Sequence, residues 1–351
     1  MKRHSTISYM RSFTSASVLL VSALHAQAAG YTLQPVQLAG AYSTVLTDIN
    51  NGGVAVGYAA TNINIGVTTA IVYANGTLSN FTGPPNSVSS DLDGITNDGT
   101  LVGNYSTTLI DDGFGYLYAG PSQIFSYKSG TFRYYTIPGL DSPNAAGVSP
   151  NGRWIVGTYS DQHLGTQGFV FDTGLNTVTV LHHGGAPVVV AAGANDAGKV
   201  VGYDRTPFQG GGRTGFGWIY DIATNTFADA SIPGALRSAA RDISAAGIVS
   251  GYFGDPRFQK VDGFTGLGGS LQLIDAAGAL ATYVLGANEN AILVGYYATA
   301  HDGTTTGFVA TPVPEPSGAL MFLFGFAALI AVRFTPRTSL GGALTSRNTV
   351  A

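Results

Sequence analysis

From Asp48 to Tyr297 the chain alternates strand-length apolar runs with short polar clusters that carry glycine, and one such unit recurs. Its first copy is DINNGGVAVGY, Asp48 to Tyr58. Five more follow: GITNDGTLVGNY from Gly94, GVSPNGRWIVGTY from Gly147, GANDAGKVVGY from Gly193, DISAAGIVSGY from Asp242 and GANENAILVGYY from Gly286. A small apolar residue, a polar turn and a β-branched run read as the corner of a β-hairpin. The third position is Asn50, Thr96, Ser149, Asn195, Ser244 or Asn288, side chains that accept a hydrogen bond from the backbone N–H two residues on. Gly53, Gly99, Gly152, Gly198 and Gly247 then supply a residue for which positive φ is cheap. Ala291 replaces that glycine in the last copy, which predicts a distorted sixth turn.

The glycines that close the unit are Gly57, Gly103, Gly157, Gly202, Gly251 and Gly295, at spacings of 46, 54, 45, 49 and 44 residues. That period fits a propeller blade. After each comes a second extended signal: AIVY from Ala70, IFSY from Ile124, GFVF from Gly168, GWIY from Gly217, GFTG from Gly263 and GFVA from Gly307. In the first four copies a turn and one more extended segment follow, giving four strands per repeat. No repeat carries a sustained apolar period of 3.6, and glycine interrupts every window of helical length, so a helical solenoid is disfavoured. The sixth copy runs from GFVA directly into TPVPEP without an outer strand, whereas Tyr31 to Leu38 is a surplus strand before the first copy. Pairing the two closes a ring by a shared blade and removes exposed edges. The expected fold is therefore all-β: a β-propeller of six blades of about four strands, closed by a shared blade, followed by one C-terminal transmembrane helix.

Taken in register over residues 31–311, the six copies resemble the extracellular HAF repeats, which run through a GIN…G.VVGY core to an AF.Y strand. A tyrosine follows each closing glycine, at Tyr58, Tyr105, Tyr159, Tyr203, Tyr252 and Tyr296. These read as equivalent residues that pack between neighbouring blades.

The two ends carry address information. Lys2, Arg3 and Arg11 precede an apolar stretch from Ala16 to Leu24, and Ala26-Gln27-Ala28 offers small residues for cleavage. This reads as a signal peptide over residues 1–28. At the other end Pro314-Glu315-Pro316 is followed by the apolar stretch Gly318 to Val332 and by Arg333 and Arg337. The combination resembles a PEP-CTERM sorting signal. That resemblance implies a Gram-negative envelope, an inner-membrane-anchored precursor and an exosortase partner that processes it, with Pro314, Glu315, Pro316 and Arg333 as the sorting residues. The basic residues keep the helix's C-terminal end cytoplasmic and the repeats outside the inner membrane. The organisation expected is signal peptide 1–28, propeller 29–312, sorting signal with transmembrane helix 313–337 and a disordered tail 338–351. A helix retained as a permanent anchor is the alternative.

With no cysteine in 351 residues, disulfides, thiolate metal sites and thiol redox chemistry are excluded. Removal of the signal peptide and of everything after Ser317 leaves ten basic residues against twenty acidic ones, a net charge of −10, which disfavours nucleic acid or an anionic membrane as partner and favours cations or neutral glycans. There is no nucleophile elbow, phosphate loop, dinucleotide fingerprint or spaced zinc set, and no cofactor is expected. Asp91-Leu92-Asp93 and Asp111-Asp112-Gly113 are acid-dense loops of the kind hard cations favour, without a complete calcium-loop spacing. Two connections between second and third strands are long. One, after Gly103, carries Asp111, Asp112, Tyr116 and Tyr118; the other, after Gly202, carries Arg205, Phe208 and Arg213. Insertions on one face commonly carry recognition, so these seven residues are the candidate ligand-binding set. The function expected is a secreted or surface-associated noncatalytic protein of the exopolysaccharide matrix that binds a glycan or other matrix component. The alternatives are a propeller enzyme, a glycan hydrolase or lyase with carboxylates clustered at a channel mouth, and a membrane-tethered assembly partner.

Overall fold

The computed structural model describes residues 30–62, 65–208, 212–254 and 260–313, with backbone alone at 207–208 and 212–214. The signal peptide, the Pro-Glu-Pro motif, the Gly318 to Val332 stretch and the tail lie outside the described residues. Among the described residues no helix is long and apolar enough to cross a membrane.

The array is all-β and of propeller type, and its one helical turn among the described residues is a 3₁₀ turn at Gly268–Ser270. In the first five repeats an inner, a second, a third and an outer strand pair antiparallel in chain order. The inner strands are Ser43–Ile49, Ser89–Ile95, Asn144–Val148, Val188–Ala194, Arg237–Ile243 and Ala281–Ala287. The second strands are Ala55–Ala60, Leu101–Ser106, Trp154–Asp161, Lys199–Phe208, Val249–Gly254 and Leu293–Ala298. Third strands follow at Thr69–Ala74, Gln123–Lys128, Gly165–Asp172, Gly217–Asp221, Val261–Thr265 and Thr306–Pro312. Among the described residues no outer strand follows the third strand of the sixth repeat; Tyr31–Val36 pairs there, antiparallel, from Tyr31 opposite Pro312 to Val36 opposite Gly307.

Every inner strand carries a β-bulge just before its turn, with the extra residue at Thr47, Asp93, Ala146, Ala192, Arg241 and Leu285. The closing glycine faces the residue before that bulge. A Cβ placed on any of the six would lie 1.8–2.0 Å from an inner-strand carbonyl oxygen, which is why the position is glycine in every copy. The third-strand aromatics Phe125, Phe169, Trp218, Phe264 and Phe308 are fully buried, and so is Ile71 at the matching place in the first repeat. Trp218 and Phe308 lie over Gly202 and Gly295.

The six turns share one geometry. The N–H of the fourth residue donates to the carbonyl of the first at 2.8–3.1 Å in every copy, from Gly53→Asn50 to Ala291→Asn288. The side chain of the first residue caps the N–H four positions on, as in Asn50 with Val54 and Asn288 with Ile292, and Asn195 and Asn288 also accept from the N–H two on, that of Ala197 at 3.1 Å and that of Asn290 at 3.0 Å. In the third repeat Ser149 reaches Trp154, five on. The sixth turn is not distorted: Ala291 takes φ 57 and keeps the pattern, because its neighbours hold the left-handed conformation that glycine holds elsewhere. That conformation strains an L side chain. Ala291→Gly should therefore raise the unfolding free energy by about 1 kcal/mol, measured by denaturant titration; an unchanged or lowered midpoint would show that Ala291 is not strained.

Candidate functional site

At the turn face, Asp48 and Asp242 follow the bulges of the first and fifth repeats. Asp48 accepts from the Ile49 N–H at 2.7 Å and from Ile95 of the next repeat at 2.8 Å; Asp242 accepts from Ile243 and from Ala287 of the next repeat, both at 2.7 Å. Burial pushes the Asp48 carboxyl up to about 8, reinforced by the Asp242 charge and opposed by its two N–H bonds. Burial likewise pushes Asp242 up to about 6.

The six bulge residues point at one small axial cavity, so Thr47, Asp93, Ala146, Ala192, Arg241 and Leu285 all line it. Asp93 of the second repeat and Arg241 of the fifth stand within electrostatic reach across this axis. The Asp93 carboxyl is hydrogen-bonded to Asp91. Burial, then the Asp91 charge, raises Asp93 well above the usual carboxylate range. Asn104 clamps the pair: its Nδ2 donates to Asp91 at 3.0 Å, to Asp93 at 2.7 Å and to the Ala145 carbonyl of the third repeat at 3.0 Å, while its Oδ1 accepts from the Ala145 N–H at 2.8 Å.

Strand pairing corrects the expected tyrosine ring. Tyr58, Tyr203, Tyr252 and Tyr296 directly follow the closing glycine, but Asn104 and Thr158 hold that place in the second and third repeats. Tyr105 and Tyr159 come one residue later and so face the other side of their strands. The channel wall is thereby divided. Repeats four, five, six and one contribute Tyr203, Tyr252, Tyr283, Tyr296 and Tyr58, which pack together beside Val45 and Leu285. Repeats two and three contribute carboxyl and amide groups. Arg205 joins the aromatic side, 4.9 Å from the centroid of the Tyr203 ring, with Nη2 donating to the Tyr203 hydroxyl at 2.9 Å. Burial opposes ionisation of Tyr203, yet the Arg241 and Arg205 charges pull its phenol below the ordinary range.

On the opposite face, where second strands connect to third strands, a cavity of about 330 Å³ opens between repeats two and three. Its lining is hydroxyl and amide: Ser89, Asn104, Ser106, Ser122, Asn144 and Ser160, with Asp91 and Tyr105 beside them. Ser122 donates to Asn144 Oδ1 at 2.5 Å. Residues 119–122, the return leg of the long second-repeat connection, form one wall.

The expected site residues are dispersed. Asp111 and Asp112 cap their own hairpin tip, accepting from the N–H groups of Gly113 at 2.8 Å and Phe114 at 2.7 Å. Tyr116 and Tyr118 lean against Gly66 of the first repeat, where residues 117–118 pair with 65–66. Arg205 reaches the channel mouth. Phe208 and Arg213 are strand positions in a hairpin, Phe208 opposite Gly212 and Arg213 opposite Pro207, and their side chains lie outside the described set. Asp91 and Asp93 belong to an inner strand, not a loop. No group of three or more potential metal ligands gathers among the described residues. Arg237 and Arg241, absent from the expected set, stand on the fifth inner strand, Arg237 at its start and Arg241 at its bulge on the axial cavity. Their signal was irregularity at repeat-equivalent positions, readable only once the bulge fixes the register.

Comparison with family models and with curated proteins finds no match. Among solved structures the chain is similar to a TolB protein from Agrobacterium tumefaciens, at 12% identity and TM-score 0.46 over 64% of this chain and 76% of that one. It is also similar to the β-propeller domain of the Trilobed protease from Pyrococcus furiosus, at 12% identity and TM-score 0.41 over 75% and 96%, and to Trypanosoma rangeli sialidase, at 11% identity and TM-score 0.44 over 82% and 56%. The architecture given above rests on strand pairing and not on these likenesses.

The raised carboxyls have a consequence for stability. Asp48 and Asp242 bind protons in the folded state at pH values where the unfolded chain, with carboxyls near 3.8, has released them. Stability contributed by those protons is present at acid pH and is lost as pH rises through about 6 and then about 8. Calorimetric melting should fall from about pH 5 to about pH 8, and Asp48→Asn should flatten that slope; a melting temperature that rises across the window would contradict the assignment.

Proposed function

We propose that this chain is an exported, noncatalytic six-bladed β-propeller, closed by a shared blade, that binds a neutral glycan of the extracellular matrix in the cleft between its second and third blades. The observation that carries the reading is the chemistry of that cleft: a cavity of about 330 Å³ edged by five serines and two asparagines, with Tyr105 as an aromatic wall. Hydroxyl and amide groups match the donors and acceptors of a sugar without demanding a charge on it. The long connection of the second repeat is the feature that encloses this cleft, through residues 119–122 rather than through its acidic tip.

The carboxyls that meet on the axis favour binding over hydrolysis. Asp91 and Asp93 share a hydrogen bond, whereas a glycosidase holds its two carboxyls at least about 5 Å apart to flank the scissile bond. The Asp48 and Asp242 carboxylates are occupied by backbone N–H groups of successive repeats.

A glycan array and calorimetry on residues 29–312 test the reading. A neutral oligosaccharide should bind, Asn144→Ala should weaken it about tenfold, equivalent to one lost hydrogen bond of about 1.4 kcal/mol, and shortening residues 106–121 to a five-residue turn should abolish it. Full affinity in both variants would eliminate the cleft.

Export and release rest on the resemblance of the C-terminal segment to sorting signals. Substituting Pro314, Glu315 and Pro316 together by Ala should leave full-length protein in the inner membrane, read by mass analysis of the native C-terminus. Equal release from the variant would remove exosortase as the processing partner.

A further inference from the structure

The two ends of the propeller leave it at one place. Leu293–Ala298 runs away from the sixth turn and Thr306–Pro312 runs back toward it, with Ala310 opposite Leu293, so the array finishes on the turn face. Tyr31–Val36 starts there too, because Tyr31 lies opposite Pro312, and the Val313 N–H donates to the Gly30 carbonyl at 2.8 Å. The cleft between repeats two and three opens on the other face, where second strands connect to third strands. Beside the exit a cavity of about 400 Å³ lies between repeats five and six, walled by Tyr31, Ala246, Ile248, Gln272, Glu289 and Leu293. Ile248 in this wall and Leu273 next to Gln272 are each half exposed.

Chain length turns this exit point into an orientation. The apolar stretch Gly318 to Val332 begins five residues after Val313. Whatever conformation the intervening residues take, five steps of at most ~3.6 Å reach no further than ~18 Å. About 6 Å of that is needed to cross the headgroup layer before the hydrocarbon begins, which leaves about 12 Å. The strand Thr306–Pro312, which runs from one face to the other, is about 20 Å long at ~3.3 Å per residue. The remaining length therefore cannot carry the chain back along the side of the molecule to a bilayer lying against the cleft face. A similar limit holds at the other end, where Ala16 to Leu24 stops six residues before Gly30, a reach of at most about 22 Å.

We propose that the turn face at repeats five and six is the surface this chain presents to the lipid bilayer while its C-terminal apolar stretch is embedded, and that the glycan cleft then faces away from the membrane. This rests on the reading of that stretch as a membrane anchor and adds which way the propeller stands on it. Ile248 and Leu273 supply apolar surface on the membrane side. The rival apolar surface, Leu109 and Phe114 on the long connection of the second repeat, belongs to the opposite face and is out of reach of so short a tether.

The chain has no cysteine, so single-cysteine variants take one fluorophore each. Residues 29–351 are reconstituted into phosphatidylethanolamine and phosphatidylglycerol vesicles that contain a lipid with a nitroxide on its headgroup. A fluorophore at Ala246→Cys, on the turn face, should be quenched at least about twofold more than one at Thr107→Cys or His301→Cys, on the cleft face. Ile248→Cys reads the same turn face should Ala246→Cys fail to fold. A Gly-Ser linker of about twenty residues inserted after Val313, with an r.m.s. length of about 25 Å, should erase the difference. Equal quenching at both faces, or stronger quenching at Thr107 or His301, would overturn the orientation. Vesicle flotation separates the two readings: protein that fails to float removes the anchor and the orientation together, whereas protein that floats without a difference between the faces removes the orientation alone.

Discussion

The array depends on a circle of hydrogen bonds in which each turn is tied to the turn of the next repeat. Asn50 Nδ2 donates to the Thr96 carbonyl, the Asn97 N–H to Pro150, the Asn151 N–H to Asp196 Oδ1, Asn195 Nδ2 to Ser244, the Ala245 N–H to Glu289 Oε1 and Asn288 Nδ2 back to Asn50. Every repeat-to-repeat junction therefore carries at least one such bond, and the last returns to the first across 238 residues of chain. The irregularities follow from the same demand. Pro150 has no N–H and no side-chain acceptor, so its carbonyl accepts and the following Asn151 donates in its place. Backbone groups facing a narrow axis have little water to satisfy them, so each must find a partner in its neighbour.

A fold held this way tolerates variation at the residues it does not use. The bulge adds one residue to each inner strand, aims it at the axis and leaves it outside the pairing. Those six positions are Thr, Asp, Ala, Ala, Arg and Leu, whereas the closing glycine one strand away is invariant because a carbonyl oxygen already occupies the space of its Cβ. Structure and candidate function are therefore separated by a single register step, and the most regular scaffold positions lie next to the most variable ones.

That step also marks how far the sequence could be read. The repeats, their turns and the place of Tyr31–Val36 beside Thr306–Pro312 were legible because they depend on local turn chemistry and on counting strands. The tyrosines were only half legible. One residue inserted between Gly103 and Tyr105, and another between Gly157 and Tyr159, moves the ring to the opposite face of the strand, and linear alignment on the nearest aromatic conceals it. The acid-rich tip at Asp111 and Asp112 looked like a ligand set, but an Asp beside Gly caps its own turn at least as readily. Arg241 and Asp93 are 148 positions apart in sequence, and only the convergence of the inner strands brings them to one cavity.

Net charge and local field consequently point in different directions. An excess of acidic residues governs what approaches from a distance, but beyond a screening length of about 8 Å in physiological salt that excess says little about a particular surface. On the axis Arg241 lies within electrostatic reach of Asp93 across the cavity and of Asp242 beside it. Asn104 maintains the division, since its amide is committed to Asp91, Asp93 and the neighbouring repeat at once and holds the acidic pair on its own side. The bonds that tie the second repeat to the third, through Asn104 and Ala145, are therefore also the ones that fix where its carboxyls stand.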